Sequence, residues 1–369
     1  MLIFDEITRN NHEQVVFCHD ETTGLRAIIA IHDTTLGPAL GGTRFYPYAS
    51  DQDALVDALR LSRGMTYKSA AAGLNLGGGK AVIIGNPKRL KNEMLFRAYG
   101  RFVQGLAGRY ITAEDVGTTV RDMEWVRRET DHVTGISRAL GGSGDPSPMT
   151  ALGVFVGMKA ALSFKTGAES LAGKRVSVQG VGAVGRHLVD FLVQDGAQVV
   201  ICDIDQDNLR AVANKHPDVL VVAPDDIYDA AVDIYAPCAM GATLNPDTIG
   251  RLKAHVVAGS ANNQLAEEDR DGAALAARDI IYTPDYVINA GGLINVANEL
   301  EGYNDERAHQ QVSGIFDIIQ EIFRLAATEG VLPYKAANTL ALRRIAGISQ
   351  IKNHWCGVQS QGRSRDWIR

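Results

Sequence analysis

The sequence is short of several things that would narrow its function at once. Cysteine is scarce: Cys18, Cys202, Cys238 and Cys356 lie far apart and form no CxxC pair. That spacing argues against a disulfide framework or a structural zinc site, and the expectation is free thiols in a reducing cytoplasm, with no metal. No apolar run is expected to reach the ~18 residues of a membrane span. Met1 to Glu6 shows no basic region leading into a long apolar stretch, so neither a secretory signal nor a membrane partner is expected. Positive charge is not in excess: 37 Lys+Arg against 43 Asp+Glu give a net charge of −6, which argues against a broad nucleic-acid-binding face. Internal repeats and low-complexity tracts are missing as well.

What the chain does have is glycine, 38 in 369 residues, above the usual ~7% and clustered without a collagen-like period. Such clusters mark tight turns and places where backbones or ligands approach closely. Hydrophobic (46%) and charged (22%) fractions are those of a globular protein, and the length suits two domains. The best boundary is Gly141-Gly142-Ser143-Gly144-Asp145-Pro146-Ser147-Pro148, too rich in glycine and proline to continue a helix or strand.

Beyond that boundary an apolar helix from Thr150 to Phe164 is followed by strands at 175–179, 198–202, 219–222, 232–235, 256–258 and 280–282, with helical segments between them. Alternation of this kind predicts a parallel sheet covered on both faces. Before the boundary, strands are expected at 15–18, 25–31, 81–84 and 110–113, and helices at 51–69 and 93–106. An amphipathic pattern through Val312, Ile315, Phe316, Ile319, Ile322, Phe323 and Ala326 predicts one long helix over 305–328, and another follows over 335–351. The tail 357–369, with Trp367, reads as a loose end or an oligomer contact.

The most specific local signal is Gly180-Val181-Gly182-Ala183-Val184-Gly185. This GxGxxG lies between a strand and a helix, where Gly180 permits the turn, Gly182 lets a pyrophosphate approach and Gly185 lets helix and strand pack. Asp203 ends the next strand at the distance of an acid that bonds the ribose hydroxyls, with Asp205 as its rival. A carboxylate there would repel a 2′-phosphate, which favours NAD over NADP. In the first domain, Gly77-Gly78-Gly79-Lys80 is not a Walker loop, because the spacing from Gly73 is wrong and Ala81 follows the lysine. Its three glycines suggest close approach of a substrate or cofactor. Taken singly, Lys68 and Lys80 read as lysines that snorkel to solvent, and Asp115 as a turn or helix-cap carboxylate.

Together these segments say more. Leu36–Arg44, Gly73–Lys80, Tyr110–Thr118, Ala236–Ala239, Gly259–Gln264 and Pro284–Val296 resemble, in order and spacing, the amino acid dehydrogenases of the glutamate, leucine, phenylalanine and valine superfamily. The resemblance runs from about residue 12 to 350 and is closest to the leucine dehydrogenase branch. It implies an α/β chain of two domains: an N-terminal α/β substrate-binding and oligomerisation domain (1–140 with C-terminal helices 331–369), and a Rossmann-like NAD-binding domain (145–330). It further implies a cleft that closes about a hinge at 141–148, and a cytoplasmic homo-oligomer, an octamer or a dimer.

By the same resemblance Lys68 anchors the substrate α-carboxylate. Lys80 activates water and must be neutral to do so, helped by burial and by the Lys68 cation. Asp115 moves protons at the substrate nitrogen. Leu40, Gly41, Gly42, Met65, Ala113, Leu293 and Val296 match the substrate pocket. Thr150 and Asn262 match the nicotinamide side, and Val181, Ala183, Val184, Ile204, Cys238 and Ala239 join the glycines and Asp203 around the cofactor. Thr150 is also readable as a helix N-cap and Asn262 as an Asx turn. The side chains matching the pocket are apolar, and Leu40 stands where glutamate dehydrogenases place a lysine. The resemblance therefore implies NAD-dependent oxidative deamination of leucine, isoleucine or valine. Rivals are an enzyme for phenylalanine or tryptophan, a NAD-binding protein without catalysis and, more remotely, a pyridoxal phosphate enzyme using Lys80.

Overall fold

The computed structural model describes residues 3–352, so Cys356, Trp367 and the tail lie outside the described residues. The chain divides into two compact units. One comprises Met1–Asp145, Glu299–Tyr303 and the chain from Ala341; the other comprises Pro146–Asn298 and Asn304–Leu340.

The first unit opens with α1 (Ile3–Arg9), β1 (Gln14–Asp20), β2 (Leu25–Asp33) and β3 (Ala39–Tyr46). It continues with α2 (Asp51–Ala71), β4 (Gly77–Ile84), α3 (Pro87–Leu90), α4 (Glu93–Gly105), β5 (Tyr110–Glu114) and α5 (Val120–Arg127). Its sheet has the order β1-β2-β4-β3-β5. β1, β2 and β4 pair antiparallel, whereas β3 pairs parallel with β4 and with β5.

α2 begins at Ser50, whose side chain accepts from Asp53 N–H, and it buries Leu55, Ala58, Leu59 and Ser62, the face expected from their spacing. Leu55, Ala58 and Leu59 pack on Ile28, Ala30 and Val82. On the opposite face of the sheet, Phe96, Tyr99 and Val103 of α4 pack on Ile29, Phe45, Ile83 and Tyr110.

Strand β3 was not anticipated, because Gly41 and Gly42 disguise it. The Gly77–Lys80 run also belongs to a strand, and its glycines serve internal packing. A Cβ on Gly78 would overlap the backbone of Ser62 and Thr66 in α2, and one on Gly79 would stand 2.6 Å from the Tyr110 ring. Only glycine lets α2 lie this close to the sheet.

The second unit contains α6 (Ser147–Thr166), β6 (Arg175–Gln179), α7 (Gly185–Gln194), β7 (Gln198–Cys202), α8 (Gln206–Lys215), β8 (Leu220–Val221) and β9 (Ile234–Pro237). There follow α9 (Pro246–Ile249), β10 (Val256–Val257), α10 (Glu268–Ala277), β11 (Ile281–Tyr282), α11 (Asp285–Ile288), α12 (Gly291–Ala297), α13 (Asp305–Ser313) and α14 (Ile315–Glu329). The final helix, α15 (Pro333–Lys352), gives its residues up to Leu340 to this unit and the rest to the first.

The sheet order is β11-β10-β9-β6-β7-β8, parallel throughout. Numbered from β6, this is the doubly wound order 3-2-1-4-5-6, whose switch point lies between β6 and β9. The expected long helix is two, α13 and α14, separated at Gly314.

α6 corrects the expectation about apolar runs: by length and composition it could cross a membrane. Here it is the core helix of the unit. Gly153 and Gly157 admit Ile288 and Ile315 against it, and a Cβ on Gly291 would overlap the Met149 carbonyl. Residues 331–340 and 299–303 also group differently from the sequence expectation. Tyr334 belongs to the core around Tyr235 and Tyr282, and Lys335 pairs with Asp269, which ties this stretch to the second unit. The Glu299 carboxylate accepts from Gly135 N–H and Ser143 N–H, which ties 299–303 to the first.

Candidate active site

In the first unit Lys80, in mid-β4, is only 6% exposed, and its Nζ lies 2.7 Å from Asp115 Oδ2 just past β5. β3 runs between these two strands, and the reach across it has a simple cause. Gly42 is paired with Ala113, and Thr43 with both Ala81 and Glu114, so Gly42 stands in the lysine's path and offers no side chain. A Cβ at Gly42 would lie 2.9 Å from Asp115 Cβ and overlap the Glu114 carbonyl. A Cβ at Gly41 would overlap the Gly79 carbonyl. The two glycines assigned to substrate by resemblance are thus required by the sheet itself.

Asp115 is fixed from several sides. Its N–H donates to Thr118 Oγ1 (2.8 Å), which in turn donates to the Thr43 carbonyl (2.9 Å). Arg44 Nε donates to the same Oδ2 that Lys80 holds, at 3.1 Å. Burial alone would raise the Asp115 carboxyl, but the Lys80 and Arg44 cations outweigh it and hold the group down at about 2. The neighbouring Glu114 moves the other way. Burial, then the carboxylates of Asp145, Asp115, Asp122 and Glu299, push it up to about 7.

Behind the sheet, Thr43 Oγ1 meets Tyr99 OH (2.7 Å) and Thr112 Oγ1 (2.6 Å), and Tyr110 OH donates to the Gly41 carbonyl (2.7 Å). This buried hydroxyl cluster stiffens the strands that carry the pair. Lys68 is half-buried in the last turn of α2. Leu40 and Ala113 are buried apolar side chains on β3 and β5, and Met65 is half-buried on α2.

Sequence reasoning missed Arg44 and Glu114 as members of this cluster. Arg44 stood inside a quoted motif, but its partners Asp57 and Asp115 are distant in sequence. The carboxylate located on Lys80 Nζ is that of Asp115, a pairing the sequence reading did not draw.

In the second unit the turn after β6 is built as the fingerprint requires. Gly180 has φ +94° and abuts Ala239, where a Cβ would approach within 2.7 Å. A Cβ on Gly182 would meet nothing within 4 Å, so that backbone faces open space, and one on Gly185 would overlap the Gly180 carbonyl. Val184 is the N-cap of α7, and Ala183 precedes it in the turn.

Asp203 Oδ2 accepts from Val181 N–H (2.8 Å) and Oδ1 from Asp205 N–H (2.9 Å), so the carboxylate sits at the mouth of the turn. Asp205, its rival, is the N-cap of α8 and accepts from Asp207 N–H and Asn208 N–H. Ile204 is 86% exposed beside Asp203. Across the switch point, Cys238 N–H donates to the Gln179 carbonyl (2.8 Å), and burial pushes the Cys238 thiol up. Cys18 and Cys202 are likewise free thiols.

Thr150 is not an N-cap. It lies within α6, with Oγ1 donating to the Pro146 carbonyl at 3.0 Å, and Pro146 holds the cap position. Asn262 is exposed and its Oδ1 accepts from Asn289 Nδ2 (2.7 Å). Leu293 and Val296 are both buried on α12.

Residues 12–132 match the Glu/Leu/Phe/Val dehydrogenase dimerisation domain, and 141–207 with 202–352 match the glutamate/leucine/phenylalanine/valine dehydrogenase domain. A leucine dehydrogenase of Bacillus subtilis (strain 168) is 56% identical over 94% of both chains. One of Thermoactinomyces intermedius is 58% identical over 94% of both. The crystal structure of L-tryptophan dehydrogenase from Nostoc punctiforme is 47% identical, covers 94% of this chain and 99% of its own, and superposes with a TM-score of 0.82. The chain belongs to the glutamate/leucine/phenylalanine/valine dehydrogenase family and is an amino acid dehydrogenase.

Proposed function

We propose that the chain catalyses the reversible NAD-dependent oxidative deamination of leucine, isoleucine and valine. Amino acid, water and the oxidised cofactor give the 2-oxo acid, ammonium, the reduced cofactor and a proton. The observation that carries the reading is the pairing of buried Lys80 with half-buried Asp115 on a sheet face whose neighbours, Leu40 and Ala113, are apolar.

NAD bound in the second unit would supply the acceptor for the hydride of the substrate Cα. Lys68 holds the α-carboxylate as a point charge. Lys80 takes a proton from the water that attacks the iminium carbon. Asp115, one hydrogen bond from Lys80, carries protons to and from the substrate nitrogen.

The second unit fits the cofactor. Gly182 leaves room for a pyrophosphate, and Val181, Ala183 and Val184 complete the turn at the start of α7. Each Asp203 oxygen accepts one backbone N–H and has lone-pair capacity left for a ribose hydroxyl, while its charge disfavours a 2′-phosphate. Ile204, Cys238 and Ala239 take the adenosine side. Thr150 and Asn262 take the nicotinamide side.

Leu40, Met65 and Ala113 in the first unit, and Leu293 and Val296 in the second, set the side-chain preference. A glutamate side chain meets no cation among them, and burying an unpaired carboxylate is costly. The 47% identity to a tryptophan dehydrogenase keeps an aromatic substrate as the second reading. The matched dimerisation domain supports a homo-oligomer, a dimer or octamer, which we place in the cytoplasm.

The test is formation of reduced cofactor from leucine, isoleucine, valine, phenylalanine, tryptophan and glutamate, each with NAD and with NADP. Fastest turnover of a branched-chain substrate with NAD supports the reading. Fastest turnover of an aromatic one transfers it to the second reading. NAD binding without turnover of any removes catalysis.

A further inference from the structure

We propose that Arg44 is a positioning residue that serves as the permanent counter-ion of Asp115, so that Lys80 can lose its proton without stranding a half-buried carboxylate. This rests on the reading of Lys80 as the base. A buried lysine paired with a single carboxylate is a poor base, because deprotonating it leaves that carboxylate unpaired in a poor solvent. In this protein the carboxylate is shared. Lys80 Nζ and Arg44 Nε converge on one oxygen, Asp115 Oδ2, at 2.7 and 3.1 Å. A guanidinium does not deprotonate in proteins, so the second cation stays in place whatever Lys80 does.

Arg44 is itself braced. Its Nη1 lies 2.9 Å from Asp57 Oδ2 on α2, and Asp57 also accepts from Tyr48 OH (2.7 Å) and from Arg60 (2.9 Å). The brace runs from β3 to α2 and holds Nε on Asp115.

The charged and titratable groups around Asp115 come from every neighbouring element. β4 supplies Lys80 and β3 supplies Arg44, with Tyr48 just beyond it; β5 supplies Glu114 and Tyr110. α2 supplies Asp57 behind Arg44 and carries Lys68 in its last turn. The carboxylates in this set attract the Lys80 ammonium, whereas the tyrosines are neutral, burial raising both. Arg44 opposes the carboxylates twice, by neutralising Asp115 and by repelling a protonated Lys80.

The experiment compares wild type with Arg44→Gln, Arg44→Lys and Asp57→Asn. One arm follows kcat and KM for oxidative deamination against pH. The other, independent of turnover, follows carbamylation of Lys80 by cyanate against pH, read by mass spectrometry, since only a neutral amine reacts. Melting temperature is measured alongside.

Arg44→Gln is expected to move both the onset of activity and Lys80 carbamylation to higher pH by about one unit. That costs about tenfold in kcat near neutrality, regained in alkali, with the KM for amino acid little changed. Arg44→Lys should recover much of the shift, and Asp57→Asn should show a smaller shift of the same sign. A uniform drop in kcat at all pH, or a fall in melting temperature with both profiles unmoved, overturns the proposal and leaves Arg44 a structural brace. If wild type turns over no amino acid, the proposed function fails, and the carbamylation profiles still decide the role of Arg44.

Discussion

Replacing Lys80 by alanine separates chemistry from cofactor binding. A positioned general base contributes about 10²–10⁴-fold to rate, or ~3–5 kcal/mol of barrier, and kcat should fall by that amount. Removing one partner of a buried ion pair ordinarily costs ~3–5 kcal/mol of stability, because a charge is left stranded. Here Arg44 remains 3.1 Å from the same oxygen. The loss should be smaller, about 1–3 kcal/mol, and the variant should fold. The residues proposed to hold NAD all lie in the second unit, so its Kd should stay within about twofold. The assays are absorbance of reduced cofactor at saturating amino acid, a fluorescence titration with NADH, and urea unfolding. A kcat within tenfold of wild type in a folded variant would take Lys80 out of the mechanism. Loss of NADH binding would contradict the division of labour between the units.

Other expectations follow from the same geometry. Asp203→Ala should weaken NAD by about tenfold or more, the worth of a hydrogen bond to a charged group, and narrow its advantage over NADP; an unchanged cofactor ratio would refute the ribose role. Gly42→Ala should cut kcat at least as deeply as Lys80→Ala, because the new methyl displaces Asp115 and the Glu114 carbonyl; normal turnover would show that the strand yields without moving the pair. His32 bonds Thr66 Oγ1 and the Asn10 carbonyl, and burial, then the neighbouring His12, push it down to about 4. A base depressed on folding stabilises the fold fully above its unfolded value of 6.5 and loses that contribution as pH falls toward about 4. The change is about 3 kcal/mol, and His32→Gln should flatten this part of the stability profile in urea melts at about pH 7 and about pH 4.5.

Much of the second unit was legible because its signals are local. The fingerprint at Gly180–Gly185 carries its own geometry, and strands β6 and β7 fall where the apolar runs place them. The difference between Asp203 and Asp205 was not local in the same way, because it lies in what each bonds. Asp203 reaches back to Val181, while Asp205 caps its own helix. The helix over 305–328 read as one because the apolar period continues through Gly314, where the chain changes helix. In the first unit the glycines misled. Gly41 and Gly42 were matched to a substrate pocket and Gly77–Gly79 to close approach of a ligand, and neither reading foresaw that they are strand residues whose missing side chains let β3, β4 and α2 close on one another.

The same absence of side chains makes the candidate chemistry possible. Lys80 and Asp115 belong to strands on either side of β3, and an ordinary residue at position 42 would fill the space between them. A short motif can name both residues but cannot show that they meet, since the meeting depends on a third strand. Nor can it show that the pair is only part of a charge network. Lys80, Arg44 and Arg60 alternate with Asp115 and Asp57, so each half-buried carboxylate touches two cations. An isolated pair of this kind would favour staying paired. A carboxylate that already has a second cation allows one partner to change its charge during a reaction, and the proposed acid–base roles require that property of the site.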